Sequence, residues 1–129
     1  MPGANFPEYA RGLSAAMMDV VSTGQARIVD WQIDQRSTQR GYITGILIFE
    51  DGSELHFREF IDTTRSVPRI MYAYHYQDAE KVLIFRYDNA LHRPTLPQQE
   101  HKHTPVGIDV GSMPALTEVL DEIVSALGR

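Results

Sequence analysis

The sequence predicts an α+β fold: a mainly antiparallel sheet of about five strands, flanked by an N-terminal and a C-terminal helix packed on one face. Three observations favour this class. Apolar residues recur at helical spacing near both ends, apolar and polar residues alternate between them, and an Asp-Gly pair separates two of the apolar runs. With 129 residues the chain is expected to form a single domain, residues 1–129, with one core.

An amphipathic helix is predicted at each end of the chain. The first covers residues 7–22 and is followed by Gly24, which is typical of a helix stop. The second covers residues 113–127, where Ser112 can cap the helix and Pro114 suits its first turn. The apolar stripe of each helix is expected to cover the sheet.

Strands are expected within residues 26–88, where apolar and polar residues alternate with a period of two. Asp51-Gly52 is typical of a hairpin turn, because glycine tolerates a positive φ. Residues 89–111 break the alternation with several prolines and predict a long His- and Pro-rich loop. Long loops within compact domains are often functional.

Composition excludes several classes of protein. The absence of cysteine excludes a disulfide scaffold, a thiolate zinc site and a cysteine nucleophile. The net charge of −5 argues against a protein that coats nucleic acid regardless of sequence. Residues 81–103 nevertheless carry four cationic and two acidic side chains, which allows one compact cationic site. The apolar runs are too short to span a bilayer and no targeting segment is recognised, so we expect no membrane association and a cytoplasmic location.

Histidines supply the most concentrated chemistry. His92, His101 and His103 lie within twelve residues of one another, although the whole chain has five histidines. Imidazole titrates near neutrality, so two imidazoles can serve as general base and general acid. Cleavage of RNA without a metal ion needs such a pair and a cation that holds the phosphate. The cations in this region include Arg86, Arg93 and Lys102.

Two other interpretations of these histidines stay open. They could bind zinc or nickel with Asp88 as a third ligand, or they could be loop imidazoles hydrogen-bonded to the backbone. A His-x-His motif alone is a weak metal signal. We therefore predict no metal and no cofactor.

Four of the six tyrosines lie between residues 72 and 87. Tyr72, Tyr74 and Tyr76 alternate along one strand and share a face, and Tyr87 belongs to the next strand. They could form a platform on which nucleotide bases stack, or they could fill a half-buried face of the sheet. His75 is expected on the opposite face.

Glu59 shares a strand face with apolar residues. If that face covers the core, the carboxylate needs a cationic partner, for which Arg86 is the candidate. The alternative is a β-bulge near Glu59–Phe60 that turns the glutamate outward. In the hypothesis of RNA cleavage, Glu59 or Asp88 would orient an imidazole or Arg86.

A set of short motifs in the central and C-terminal parts of the chain carries a family resemblance. The motifs are Gly45–Phe49, Asp51-Gly52-Ser53, Leu55–Phe60, Tyr74–Gln77, Phe85–Ala90, His92 and His101–His103. Over roughly residues 41–127 the chain resembles the TumE-type toxins of bacterial and archaeal toxin–antitoxin modules. The resemblance implies a small cytoplasmic toxin held in check by a cognate antitoxin with a helix-turn-helix DNA-binding domain. The family often has Asn-Ala-Pro-His-His where this chain has Asn89 to Arg93, so one imidazole is replaced and a metal site is disfavoured.

The leading hypothesis is a toxin that acts on RNA as a metal-independent endoribonuclease. The proposed catalytic residues are His92, His101, His103, Arg86, Lys102, Glu59 and Asp88, and the substrate-binding residues are Tyr74, Tyr76, Tyr87, His75 and Arg93. The alternative is a non-catalytic module that binds RNA or protein through the aromatic hairpin and the His-rich loop. A third hypothesis is an assembly protein, a homodimer formed through Leu13, Met17 and Val20 of the first helix.

Overall fold

A computed structural model describes residues 5–89, 101–105, 107–110 and 114–127 of the chain. The elements in order are α1 (Phe6–Ser22), β1 (Ala26–Gln35), β2 (Arg40–Phe49), β3 (Glu54–Asp62), β4 (Arg69–Gln77), β5 (Leu83–Asp88), β6 (His101–Thr104), β7 (Gly107–Val110) and α2 (Leu116–Leu127). The α+β class predicted from the sequence is confirmed.

The seven strands form one antiparallel sheet in which every strand pairs with its neighbours in sequence, in the order β1 to β7. Short connections of four to six residues join the first five strands. Gly52, in the turn between β2 and β3, has a φ of 85°, as the Asp-Gly motif predicts. The sheet therefore brings side chains that lie far apart in the sequence into rows that cross it.

The prediction of a continuous loop over residues 89–111 was wrong for β6 and β7, which bring the sheet from about five strands to seven. Pro105 does not prevent their pairing, because it lies in the turn after Thr104, where no ladder hydrogen bond is needed from its nitrogen. The strand His101–Thr104 pairs with β5 on one side and β7 on the other. Short strands of this kind are stabilised by pairing on both edges.

Both helices pack on the same face of the sheet, as predicted, and the core lies between the helices and the sheet. The Asn5 side chain caps α1 by accepting from the Glu8 nitrogen at 3.0 Å. The predicted start of the second helix differs, since α2 begins at Leu116 and Pro114 precedes it. Ser112 lies outside the described residues. The buried core side chains are Phe6, Ala10, Leu13, Ala16, Met17, Ile43, Leu47, Phe49, Leu55, Phe57, Ile61, Tyr72, Tyr74, Tyr76, Phe85, Leu116, Val119, Leu120 and Ile123.

The apolar stripe of α1 serves this core. Leu13 and Met17 are buried against the sheet, and Val20 packs beside them. The predicted dimer contact through these residues has no support in their positions, because Leu13 and Met17 are already covered within the same chain and Val20 is partly buried. Neither of the two described helices is long and apolar enough to cross a membrane.

The helices leave the other face of the sheet uncovered in the described part of the chain. Outward-facing residues of β2 to β6 alternate with the core residues named above, so the polar side chains of these strands project together on one surface. We call this surface the open face. It carries the candidate site.

Candidate functional site

Three imidazoles and one guanidinium form a row across the open face. In the strand register His56 lies opposite His75, His75 opposite Arg86, and Arg86 opposite His103. Directly paired residues of antiparallel strands project to the same side, so the four side chains share one surface. With neighbouring strands about 4.8 Å apart, the row spans roughly 14 Å.

Asp88 contacts both Arg86 and His103, the last two members of this row. Its Oδ2 lies 3.0 Å from the Arg86 Nε and 3.0 Å from the His103 Nε2. The carboxylate is only 3% exposed, so it is held in one place. A single buried oxygen thus fixes both the guanidinium and the imidazole.

His75 lies on the other side of Arg86, with its Nδ1 3.4 Å from the Arg86 Nη1. Its Nε2 lies 3.0 Å from the Gln77 Oε1, an acceptor that requires a proton on that nitrogen. The hydrogen bonds therefore favour the tautomer whose Nδ1 lone pair faces the guanidinium. Gln77 orients the ring of His75.

Burial lowers the pKa of His75 below its ordinary value, and the positive charges of Arg86 and His56 lower it further, against the opposing hydrogen bond to Gln77. A lowered pKa keeps the imidazole neutral at pH 7. A neutral imidazole with an oriented lone pair has the form required of a general base.

His56 extends the row and is held by Glu54, whose Oε1 lies 2.9 Å from its Nε2. Glu54 also forms an ion pair with Lys81. The hydrogen bonds from Lys81 and His56 lower the pKa of Glu54 to about 2. The rings of His56 and His75 meet edge to face, with centroids 6.4 Å apart.

The row borders a shallow depression of about 420 Å³ on the open face. Its lining comes from five strands and includes Tyr42, Thr44, His56, Arg58, His75 and Arg86. Two arginines and two histidines thus line this space together with Asp30, and its volume is large enough for part of a polar ligand. In the described ranges no three His, Asp or Glu side chains are close enough together to hold a metal ion.

Four of the residues predicted from the sequence meet at this site: His75, Arg86, Asp88 and His103. His101 lies opposite Asp88 in the register, and its side chain is outside the described part of the structure. His92 and Arg93 also lie outside the described residues.

Lys102 is not part of the row. It follows the period-two alternation of β6 and lies on the helix-covered side, where its Nζ is 3.1 Å from the Glu122 Oε2. The ammonium also lies 4.9 Å from the centre of the Tyr87 ring. The predicted role of Lys102 as a phosphate-binding cation beside the histidines therefore has no support in its position.

The four tyrosines between residues 72 and 87 lie on the same helix-covered side. Tyr74 and Tyr76 are 0% and 4% exposed, and Tyr87 is half-buried and donates to the Glu122 Oε1 at 2.7 Å. Rings buried in the core cannot stack on a base at the surface. Their positions match the interpretation in which the tyrosines fill the core.

Glu59 is 0% exposed and accepts hydrogen bonds from the hydroxyls of Tyr9 and, at 2.7 Å, Tyr74. Burial raises its pKa, although these hydrogen bonds and the charge of Arg69 lower it. The pairing with Arg86 predicted from the sequence was wrong, because Arg86 projects from the opposite face of the sheet.

The cation at Glu59 is Arg69, which donates to the Tyr74 hydroxyl at 2.6 Å and to the backbone oxygen of Pro114. A register irregularity does occur between Phe60 and Ile61, but it follows Glu59 and leaves it inward. Glu59 therefore ties α1, β3, β4 and the segment before α2 together, away from the open face.

Sequence reasoning missed His56, Arg58 and Gln77, which border or orient the site. The signal was present, because His56 and Arg58 alternate with the core residues Leu55 and Phe57. Only the register shows that His56 lies opposite His75.

A protein-family model described as Toxin TumE matches residues 17–127, which includes every strand and α2. A comparison with curated proteins found no match, and a comparison with solved structures found none either. The family match covers most of the chain and agrees with the resemblance carried by its motifs. The chain therefore belongs to the TumE toxin family, as the toxin component of a toxin–antitoxin module whose partner is an antitoxin.

Proposed function

We propose that this toxin acts in the cytoplasm as an endoribonuclease that needs no metal ion. One observation carries the proposal: Arg86 lies between two imidazoles, His75 on one neighbouring strand and His103 on the other. A phosphate bound by the guanidinium would have an imidazole on each side. This is the arrangement that metal-independent RNA cleavage requires.

His75 is the general base in this mechanism, because its lowered pKa keeps it neutral and its Nδ1 faces Arg86. The phosphate takes over the hydrogen bond from the Arg86 Nη1, which frees the Nδ1 lone pair. His75 then takes the proton of the RNA 2′-hydroxyl as the 2′-oxygen forms its bond to phosphorus.

His103 is the general acid. Asp88 can pair with the imidazole in its protonated form, and holds it on the far side of Arg86. As the bond between phosphorus and the 5′-oxygen breaks, the proton on the His103 Nδ1, the ring nitrogen not held by Asp88, passes to that oxygen. The products are a 2′,3′-cyclic phosphate and a free 5′-hydroxyl, and Arg86 stabilises the charge on the phosphorane-like transition state.

Purified toxin incubated with RNA in excess EDTA tests the proposal. We expect cutting that yields 2′,3′-cyclic phosphate ends, and no cutting of an oligonucleotide that lacks 2′-hydroxyls. Arg86→Ala should lower the rate by about 100-fold or more, and His75→Ala and His103→Ala by about 100- to 10,000-fold. Lys102→Ala, which changes a cation on the other face, is the matched control.

Cutting by Arg86→Ala at the wild-type rate would contradict the role of the row. Cutting abolished by EDTA would contradict metal independence. RNA binding by the wild type without cutting would favour the alternative, a non-catalytic RNA-binding module. Arrest of growth on expression of each variant gives the same comparison in cells.

We further propose that the antitoxin partner carries a helix-turn-helix DNA-binding domain, as the family resemblance implies. A small reading frame of that type beside the toxin gene is the expected finding. Its product should restore growth when it is expressed together with the toxin. Absence of growth rescue by the adjacent product would contradict this assignment.

A further inference from the structure

The open face carries a second feature, a pair of aromatic rings of which one, Tyr42, lines the depression, while Phe60 lies beside it. Tyr42 and Phe60 lie opposite each other on β2 and β3, with ring centroids 6.3 Å apart. The guanidinium of Arg40 lies 5.6 Å from the centre of the Phe60 ring. Both residues are half-buried, unlike the core tyrosines Tyr72, Tyr74 and Tyr76.

We propose that Tyr42 and Phe60 stack on an unpaired nucleobase, so that the substrate is single-stranded RNA lying across β2 to β5. This inference rests on the proposed function and adds the substrate class to it. Aromatic rings bind bases by stacking and need access to the base face, which a duplex conceals. The core tyrosines cannot supply such a platform, whereas Tyr42 lines the same depression as Arg86.

The spacing of the two ends suits a strand of several nucleotides. Tyr42 is four residues from Ile46, which lies opposite His56 in the histidine row. Four residues advance about 13 Å along a strand, and three strand spacings separate β2 from β5 by roughly 14 Å. The diagonal of about 19 Å corresponds to about six stacked nucleotides, or fewer in an extended strand.

A cation lies between the two ends. Arg58 is exposed, lines the depression and lies opposite Thr44 and Ala73 in the register, next to the histidine row. Nucleic-acid grooves that bind single strands combine backbone-binding cations with aromatic rings in this way. Arg58 would contact a phosphate between the stacked base and the phosphate held at Arg86.

The test measures binding apart from cleavage. A fluorescent single-stranded RNA with 2′-O-methyl riboses cannot be cut by attack of its 2′-oxygen, and fluorescence anisotropy gives its Kd. We expect Tyr42→Leu and Phe60→Leu each to raise this Kd by about tenfold. Tyr42→Phe keeps the ring and should bind close to wild type. Ile33→Ala removes exposed apolar surface of β1 outside the depression and is the control.

Each outcome decides the inference separately from the chemistry. An unchanged Kd in both leucine variants, or tighter wild-type binding to duplex than to single strands, overturns it even if the toxin cuts RNA. Binding that depends on Tyr42 in a toxin that does not cut RNA supports the inference and refutes the nuclease proposal. Thermal melting of each variant identifies loss of folding, and Tyr42→Phe against Tyr42→Leu then gives the comparison between folded proteins.

Discussion

Glu59→Ala should destabilise the fold strongly without touching the open face. The glutamate is 0% exposed, and its oxygens accept from the hydroxyls of Tyr9 and Tyr74 beside the charge of Arg69. Alanine would leave two buried phenol hydroxyls and a guanidinium without this acceptor. The substitution would weaken the attachment of both helices to the sheet, because Tyr9 belongs to α1 and Arg69 binds the segment before α2.

The expected loss is about 3–5 kcal/mol, the usual effect of removing one partner from a buried charged group. A buried donor left without its acceptor costs about 1–3 kcal/mol, so the two hydroxyls alone account for a value in this range. Total stability of such domains is about 5–15 kcal/mol. Glu59→Gln keeps the volume and one carbonyl acceptor, and should cost only about 1–3 kcal/mol.

Urea unfolding followed by circular dichroism at constant pH measures these differences in the free energy of unfolding.

Wild type and Glu59→Gln should also differ in how their stability depends on pH. Because burial raises the pKa of Glu59, the folded chain binds more protons than the unfolded chain between the two pKa values. The contribution of Glu59 is therefore complete below about pH 4.5 and declines as pH rises through its folded pKa. An alanine variant that loses less than about 1 kcal/mol would refute the account of the buried network.

Three further predictions concern the core, the helix face and the site. Gly45→Ala should lower the free energy of unfolding by about 1–3 kcal/mol, because the new Cβ would lie 2.5 Å from the nearest atom of the Phe57 ring. Thermal melting checks this, and an unchanged Tm would contradict the packing. Lys102→Ala should lower the free energy of unfolding by at most about 1 kcal/mol, since its ion pair with Glu122 is partly exposed. The variant should still arrest growth, because Lys102 lies on the helix-covered side, and loss of toxicity in a folded variant would contradict this. Because the pKa of His75 is lowered, the acidic limb of the kcat/KM profile, where protonation of this base stops cleavage, should lie below the ordinary imidazole value of about 6.5. An acidic limb well above that value would exclude His75 as the base.

The faces of individual strands were predictable from the sequence, whereas most partners across strands were not. A period of two suffices to separate His75 from Tyr74 and Tyr76. The prediction that Glu59 pairs with Arg86 was wrong for a physical reason. A period of two shows which residues of one strand share a face, but it does not show which face of the next strand lies on the same side of the sheet. The register supplies that information, and it places Arg69, from the start of β4, at the buried carboxylate.

The strands β6 and β7 were missed for a different reason. Each has four residues, a length at which local preference carries little information, and prolines nearby favoured a loop. Their pairing depends on β5, whose Asp88 contacts His103 across the two strands. The prediction that His103 and Asp88 take part in one site therefore relied on chemistry, since the predicted loop offered no geometry for it.

The order of the sheet has a consequence for the synthesis of the toxin. Since every strand pairs with its neighbours in sequence, contacts are local, and the sheet can be extended one strand at a time as the chain leaves the ribosome. His56, His75 and Arg86 leave the ribosome before His103, which lies on the sixth strand. A nascent chain therefore carries an unfinished row, and a truncated product that ends before residue 101 lacks one of its two flanking imidazoles.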